Sequence, residues 1–423
     1  MAMNTFANFP KSTPTTALEV IMDVMPIHLH CQQEAMSSCA RLGEVATLNW
    51  QGTNNNKTHS VSHLRHWENA FQRHNINVED SDACTAGIHP CYRANLESFS
   101  GHSKHRIHSE MNIYTDGSRL LQQTGAGYAI FDKHRLIHSD HARLPDHASV
   151  FQAEVTAVKA ACDAVLNSNW KLPRFVKCFI DSQAAILALI KGDMTSKTVR
   201  DAAASLNKLS KKVVSITLVW IPAHRGHAGN ELVDRLAKKG AVTSNPTKCL
   251  SVPKSKGFLR QEIKNAALAD WEKEWKTQDH AQHCRSFYAS PNPQKAAYAY
   301  KLARLELGRL VRIVTGHNNL RFFQTKIGLW TNPDCRLCGD GPETITHLIN
   351  ECPPLAYSSL EIFKGRMPDA TMKWSVRELL EFSYVPAVNE AFEGDWKDDR
   401  RTATQSGPTL SGSESSDTTI NDG

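Results

Sequence analysis

The chain has 423 residues, of which 41% are hydrophobic and 22% charged, with a formal net charge of +6, twenty histidines and eleven cysteines. Such a composition is that of a soluble globular protein longer than one ordinary domain, and no apolar run reaches the roughly eighteen residues that argue for a bilayer span. An odd cysteine count behind an opening without a secretory apolar core predicts reduced thiols in the cytoplasm or nucleus, where closely spaced Cys pairs read as metal ligands.

Apolar residues at helical intervals (Leu18, Ile21, Met22, Met25) predict a helical piece over 14–45, interrupted at Pro26. From about Trp50 to His108 the chain is polar, shows no sustained period and reads as a linker. Asn112–Asp116, Gly127–Phe131 and Arg135–Ser139 are β-prone and predict a meander. Ser149–Leu166 keeps Phe151, Val155, Val158, Cys162 and Val165 on one stripe, as a core-facing helix does. A strand at Val176–Asp181, helices at Gln183–Ile190 and Val199–Lys211, a strand at Ser215–Pro222 and a helix at Asn230–Gly240 complete an α/β order. Further helical patterns cover Lys256–Lys276 and Lys295–Thr315, and a Cys/His cluster follows. Residues 401–423 are Ser/Thr/Gly-rich and too poor in apolar side chains to offset the entropy of ordering, which predicts a disordered tail.

Four acids sit at the ends of predicted elements: Asp116 in IYTDGS, Glu154 in FQAEVTAV, Asp181 in CFIDSQAA and Asp234 in GNELVDRLAKKGA. Each alone has an ordinary reading, as turn former, solvated helix residue, helix cap or part of a charged face. Jointly the readings change, because Glu154 borders the apolar stripe and Asp181 follows Phe179 and Ile180, and carboxylates so near a core need a cation or other partners. In-line attack of water on a phosphodiester is served by two divalent ions about 3.5–4 Å apart. Mg²⁺ is a hard ion held by a few carboxylates together with water and phosphate oxygens.

The runs YTDGS, AE early in a helix, IDS after a strand and WIPAHRGHAGNELVDRLAKKGA resemble type 1 ribonucleases H in content, order and spacing. The resemblance implies an α/β, ribonuclease H-like fold, a five-stranded mixed sheet with flanking helices, whose activity is hydrolysis of the RNA strand of RNA–DNA hybrids. It also implies that Asp116 bridges two Mg²⁺ ions, for which Mn²⁺ could substitute, with Glu154 and Asp181 on one ion and Asp234 on the other. His224, in PAH-x-G, would shuttle protons or help release product. Ala223 and Val233 depart from the family's usual glycine and alanine, and neither removes a ligand. His227 reads as an exposed loop residue, and Gly226 and Gly229 are expected to bend the loop before Asn230 opens the last helix. Gly117, Ser118, Ser182, Gln183 and Asn230 are candidate substrate contacts, the first four lying beside the acids and suited to reading the 2′-hydroxyl that distinguishes RNA from DNA. Lys191, Lys197, Arg200, Lys208, Lys211 and Lys212 are candidate phosphate contacts.

Cys335 and Cys338, two residues apart, followed by His347 and Cys352, have the spacing of a closed, structural Zn²⁺ site, beside Gly339, Gly341 and Pro342. The run GHNNLRFFQTKIGLWTNPDCRLCGDGPETITHLINECP resembles the zinc-binding tail that follows ribonuclease H in polyproteins of non-LTR retrotransposons. TPTTALEVIMDVMPIHLH resembles the segment that joins reverse transcriptase to ribonuclease H there, and with no acidic polymerase turn in an apolar strand the polymerase part is expected to be absent. The expected division is a helical and linker remnant over 1–109, ribonuclease H over 110–243, a helical connector over 244–325, a CCHC-type zinc module over 326–356, a helical tail over 357–400 and the disordered tail beyond. The reading implied is a retrotransposon-derived endonuclease acting on RNA–DNA hybrids, with RNA a further partner of the zinc region. The alternative is a catalytically inactive nucleic-acid-binding protein of the same origin.

Overall fold

In the computed structural model, which describes residues 12–49, 69–78, 80–96, 111–172, 174–223, 225–364 and 375–393, the segment read as a linker contributes two strands, β1 (Ala83–Gly87) and β2 (Arg93–Asn95). Three to five residues are too few to show alternation, so tertiary partners decide their conformation. Beside β2, the Tyr92 hydroxyl donates to the Leu189 carbonyl at 2.6 Å.

The meander is present as β3 (Met111–Leu120), β4 (Gln123–Asp132) and β5 (Arg135–Leu144), antiparallel and longer than the apolar runs indicated. Between Leu120 and Gln123 the chain reverses through Leu121 and Gln122, both at positive φ, the two-residue turn that suits the twist of a hairpin. The order then runs α1 (Val150–Leu166), β6 (Phe175–Ile180), α2 (Gln183–Ile190), β7 (Asp193–Ser196), α3 (Lys197–Ser210), β8 (Ser215–Trp220) and α4 (Ala228–Ala241). The main sheet is ordered β2-β8-β6-β3-β4-β5, with β6 parallel to β3 and β8 and β2 parallel to β8. The expected five strands are therefore joined by a short sixth at one edge, and β1 pairs separately and antiparallel with β7.

Helices cover both faces. On one, α1, α2 and α3 bury Val155, Val158, Ile186, Leu189, Leu206 and their neighbours against Ile113, Ile130, Val176 and Leu218. On the other, α4 lies so close to β4 that a Cβ on Gly127 would stand 2.5 Å from the Ala237 nitrogen. After α4 the chain returns along the outer edge of β5, where Leu250 N–H donates to the Arg143 carbonyl at 2.8 Å. It then meets residues 80–82: Asp82 N–H donates to Lys254 O and Lys254 N–H to Asp80 O, at 2.8 and 2.7 Å. The Asp82 carboxylate, itself buried, accepts from Ser196 Oγ at 2.7 Å and from Thr198 N and Oγ1 at 2.8 Å.

These elements belong to one of two compact units, Cys31–Ala267; the other comprises the chain up to His30 and from Leu268 on. In the latter, helix Thr15–Ile21 packs Leu18 and Ile21 into a core with Trp275, Leu310, Val314, Leu348 and Phe382. Met22–Pro26 breaks the first helical pattern as Pro26 predicts, and helix Ile27–Asn49 follows. The pattern over Lys295–Thr315 is not one helix but two, Pro293–Ala299 and Arg304–Thr315. Its break carries no glycine or proline, and a side chain fixes it instead: Glu306 accepts from Ala303 N–H at 3.0 Å and starts the second helix. Residues 394–423, including the expected tail, lie outside the described residues, as do 50–68, 79 and 97–108 of the expected linker. Among the described residues no helix is long and apolar enough to cross a membrane.

Candidate active site and Cys/His cluster

β3 and β6 pair in parallel with Thr115 opposite Ile180, which brings the next residues, Asp116 and Asp181, side by side. Glu154 arrives from the second turn of α1, whose start is fixed by a capping box between Ser149 and Gln152. What allows that approach is Gly117: a Cβ there would stand 2.4 Å from the Glu154 nitrogen and 2.8 Å from the Ala153 carbonyl carbon. Any larger residue would push α1 off the strand. Side chains alternate along β3, so Asp116 points to the α4 face while Gly117 faces α1. The result is that Asp116, Glu154 and Asp181 each offer a carboxylate oxygen, all within 4.8 Å of one another. Asp234, on α4, stands outside that group of oxygens and is held by Lys238, whose Nζ donates to Oδ2 at 2.8 Å.

Three carboxylates so placed repel one another. Asp116 and Glu154 are only 5% and 6% exposed. Burial first, and then the charges of Asp181 and Asp234, push Asp116 up to about 7. Burial, then Asp116 and Asp181, push Glu154 up to about 9. The Gly117 N–H opposes both shifts without cancelling them. Glu154 Oε2 is buried and accepts no hydrogen bond, an expensive state for a carboxylate oxygen. A deficit of positive charge, an orphaned oxygen and an all-oxygen donor set together fit a hard divalent cation.

The second cluster is local. Cys335 N–H donates to Gly341 O and Gly339 N–H to Cys335 O, at 2.9 and 2.8 Å, with Gly339 and Gly341 in the left-handed region that glycine tolerates. That knuckle turns Cys338 back toward helix Ile345–Asn350, which carries His347 and is capped by Thr344. Cys338 Sγ lies 3.3 Å from His347 Nε2 and Cys335 Sγ 3.9 Å from Cys352 Sγ, far beyond a disulfide bond. Glu351 Oε2, 3.2 Å from His347 Nδ1, favours the tautomer that leaves Nε2 a free lone pair. Beneath, fully buried Glu343 accepts from Arg336 N, Nε and NH2 and from Arg321 N. Burial and the neighbouring thiols push Cys352 up to about 12. Three sulfurs and one imidazole nitrogen, all within 4.8 Å, fit a soft tetrahedral ion such as Zn²⁺.

The family model for RNase H matches residues 108–242. Residues 108–242 are a ribonuclease H domain. A Retrovirus-related Pol polyprotein from type-1 retrotransposable element R1 of Popillia japonica is 24% identical over 212 residues, 49% of this chain and 78% of that protein. The family match thus covers about a third of the chain, and the similarity to the retrotransposable-element polyprotein about half of it. RNase H1 from the halophilic archaeon Halobacterium salinarum is 19% identical, covering 31% of this chain and 96% of its own, with a TM-score of 0.26. An N-terminal RNase H domain from Mycobacterium tuberculosis, solved as a fusion with maltose binding protein, is 17% identical over 31% of this chain and 94% of its own, also at 0.26.

Within the ribonuclease H domain the remaining candidate residues divide. Asn230 does not open α4, which begins two residues earlier at Ala228; it is buried in the first turn, and its Nδ2 donates to Asp181 Oδ2 at 3.5 Å. Gly229 does not bend the loop either: it sits inside α4, where a Cβ would stand 2.6 Å from the Tyr114 ring. Ser182 caps α2, accepting from Ala185 N–H at 3.2 Å, Gln183 is exposed beside it and Ser118 is half-buried on β3. Lys191, Lys208, Lys211 and Lys212 are exposed, whereas Lys197 and Arg200 are half-buried and Arg200 pairs with Asp201 at 2.9 Å. His224 lies outside the described residues. Two residues went unnoticed in the sequence. Lys238 was signalled by its spacing of four from Asp234, while Asp82 had no signal beyond a charged turn.

Proposed function

We propose that this chain is an endonuclease that hydrolyses the RNA strand of RNA–DNA hybrids with two divalent cations. The observation that carries the reading is the convergence of Asp116, Glu154 and Asp181 from two strands and a helix on one buried, charge-deficient pocket within a ribonuclease H domain. Asp116, Glu154, Asp181 and Asp234 would hold Mg²⁺, or Mn²⁺ in its place. When bound, the pair of ions activates the attacking water and neutralises charge growing on the scissile phosphate.

The chain's own groups prepare that chemistry. Asp116 and Glu154, held above the ordinary carboxylate range, would release protons as cations load, so loading weakens in acid. Asn230 orients Asp181 through its amide. The Ser182 hydroxyl, already accepting from Ala185, keeps its own proton to donate and with the Gly117 backbone, Ser118 and Gln183 forms the surface offered to a 2′-hydroxyl. His224 is assigned proton transfer or product release by its motif position. Cys335, Cys338, His347 and Cys352 would hold a structural Zn²⁺, and the zinc region is a candidate RNA contact. The limits at 110–243, 244–325 and 326–356 are part of this reading.

The test is purified chain, a labelled hybrid duplex and Mg²⁺. Cleavage of the RNA strand that Asp116→Asn abolishes is expected. Hybrid that is bound but stays intact under conditions where a known ribonuclease H cuts it would leave a nucleic-acid-binding protein without catalysis.

A further inference from the structure

The fourth acid departs from the other three. Asp116, Glu154 and Asp181 share a pocket, whereas Asp234 faces it from α4 engaged by Lys238 at 2.8 Å. The pair is one the helix makes readily, since an acid four residues before a lysine is the favourable order on an α-helix. It is not an inert surface contact, because the Lys238 charge also acts on Asp116. Its side chain is 47% exposed and that of Asp234 24%, so the ammonium can withdraw to water without stranding a buried charge.

We propose that Lys238 is a resident counter-cation that occupies Asp234 until a second divalent ion displaces it, so that the site loads its ions in sequence. The first ion enters the pocket of Asp116, Glu154 and Asp181, whose oxygens are already gathered. The second requires Asp234 to exchange an ammonium for the metal, and its affinity is lowered by whatever the ion pair is worth. A pair this exposed shifts an equilibrium about two- to fivefold. Lys238 is thus a positioning residue, acting through Asp234. The inference rests on the two-ion reading of the site.

The experiment is Mn²⁺ titration of the zinc-loaded full chain by calorimetry and Mn²⁺ electron paramagnetic resonance, comparing the wild type with Lys238→Met, Lys238→Arg and Asp234→Asn. Circular dichroism melts confirm that each variant is folded. Expected are two binding steps in the wild type, a second step about two- to fivefold tighter in Lys238→Met with the first unchanged, and a near wild-type isotherm for Lys238→Arg. Asp234→Asn should lose the second step alone. If Lys238→Met leaves the second step where it was, or tightens both steps equally as a general electrostatic effect would, the counter-cation role falls and the two-ion reading stands. If the wild type shows no Mn²⁺ binding that Asp116→Asn removes, the two-ion reading itself falls.

Discussion

The carboxylate pocket and the Cys/His cluster each draw candidate donors from four positions of the chain, and they differ in what stands behind those donors. Asp116, Glu154 and Asp181 are carried by a sheet and a helix whose buried residues, Ile113, Val155 and Ile180 among them, pack without help from any ion. The Cys/His donors lie on a knuckle, a six-residue helix and the turn after it, within eighteen residues of one another. A scaffold that folds first can afford to gather repelling charges and so keep a pocket ready. The Cys/His stretch also buries Ile345, Leu348 and Ile349 in a core, but its four donors sit within one short run of chain that a bound ion would tie together.

Crossing one substitution from each region is the sharpest way to break that contrast. Asp116→Asn should lower hybrid cleavage by about 10³-fold or more while leaving the urea midpoint unchanged or raised, because one repelling charge leaves a buried pocket. Cys335→Ser should instead lose zinc, read by metal analysis, and open residues 335–352 to hydrogen exchange while the amides of Gly117 and Glu154 stay protected. Equal responses of both regions to both changes would erase the distinction.

Next in size is the pH dependence of the metal-free chain. Asp116 and Glu154 are held above their ordinary values of 3.8 and 4.5, so between those values and about 7 and about 9 the native state binds more protons than the unfolded chain. Stability is therefore greatest in acid and falls as pH rises through these windows, by a few kcal/mol at the order-of-magnitude level. Urea titrations at pH 5, 7 and 9 should show the decline, Glu154→Gln should remove its upper part, and saturating Mg²⁺ should flatten it. A rise in stability over the same range would contradict the repulsion described for the pocket.

Gly117→Ala should cost about 1–3 kcal/mol, since the added methyl meets backbone that can shift only by moving α1. Cleavage should fall with it, and retention of full activity would show that the spacing of Asp116 and Glu154 has slack. The smallest effect is expected at Glu351, an exposed side chain paired with the far nitrogen of His347. Glu351→Gln should weaken zinc affinity by about tenfold at most, measured by competition with a chelator.

Most of the ribonuclease H fold could be read from the residues because its signals are local. The stripe in α1 and the β-prone runs of β3 to β6 and β8 are long enough to show their periods, and the four acids stand in recognisable runs. Only Asp181 follows the end of an element, while Asp116, Glu154 and Asp234 lie within β3, α1 and α4. What escaped notice depends on partners distant in sequence. β2 has only three residues, Asp82 finds its donors at Ser196 and Thr198, and the close seat of α1 on β3 appears only once a Cβ is placed on Gly117. The break within 295–315 was hidden for a related reason, since a glutamate side chain closes it without any glycine or proline. Asp234 matched its motif position, yet a motif states which residues are present and not which neighbour engages them.

The strap at Asp82 bears on how the nuclease should be excised for study. Asp80 and Asp82 lie upstream of the family match at 108–242 and Lys254 lies downstream of it, yet all three stitch backbone across the start of α3 and the edge beside α1. A fragment trimmed to the family limits would leave Ser196 and Thr198 without their acceptor and uncover the outer edge of β5, inviting aggregation through the bared strand. A fragment spanning 80–255 keeps both ends tied, and is the shorter piece to express when the goal is a soluble, crystallisable enzyme.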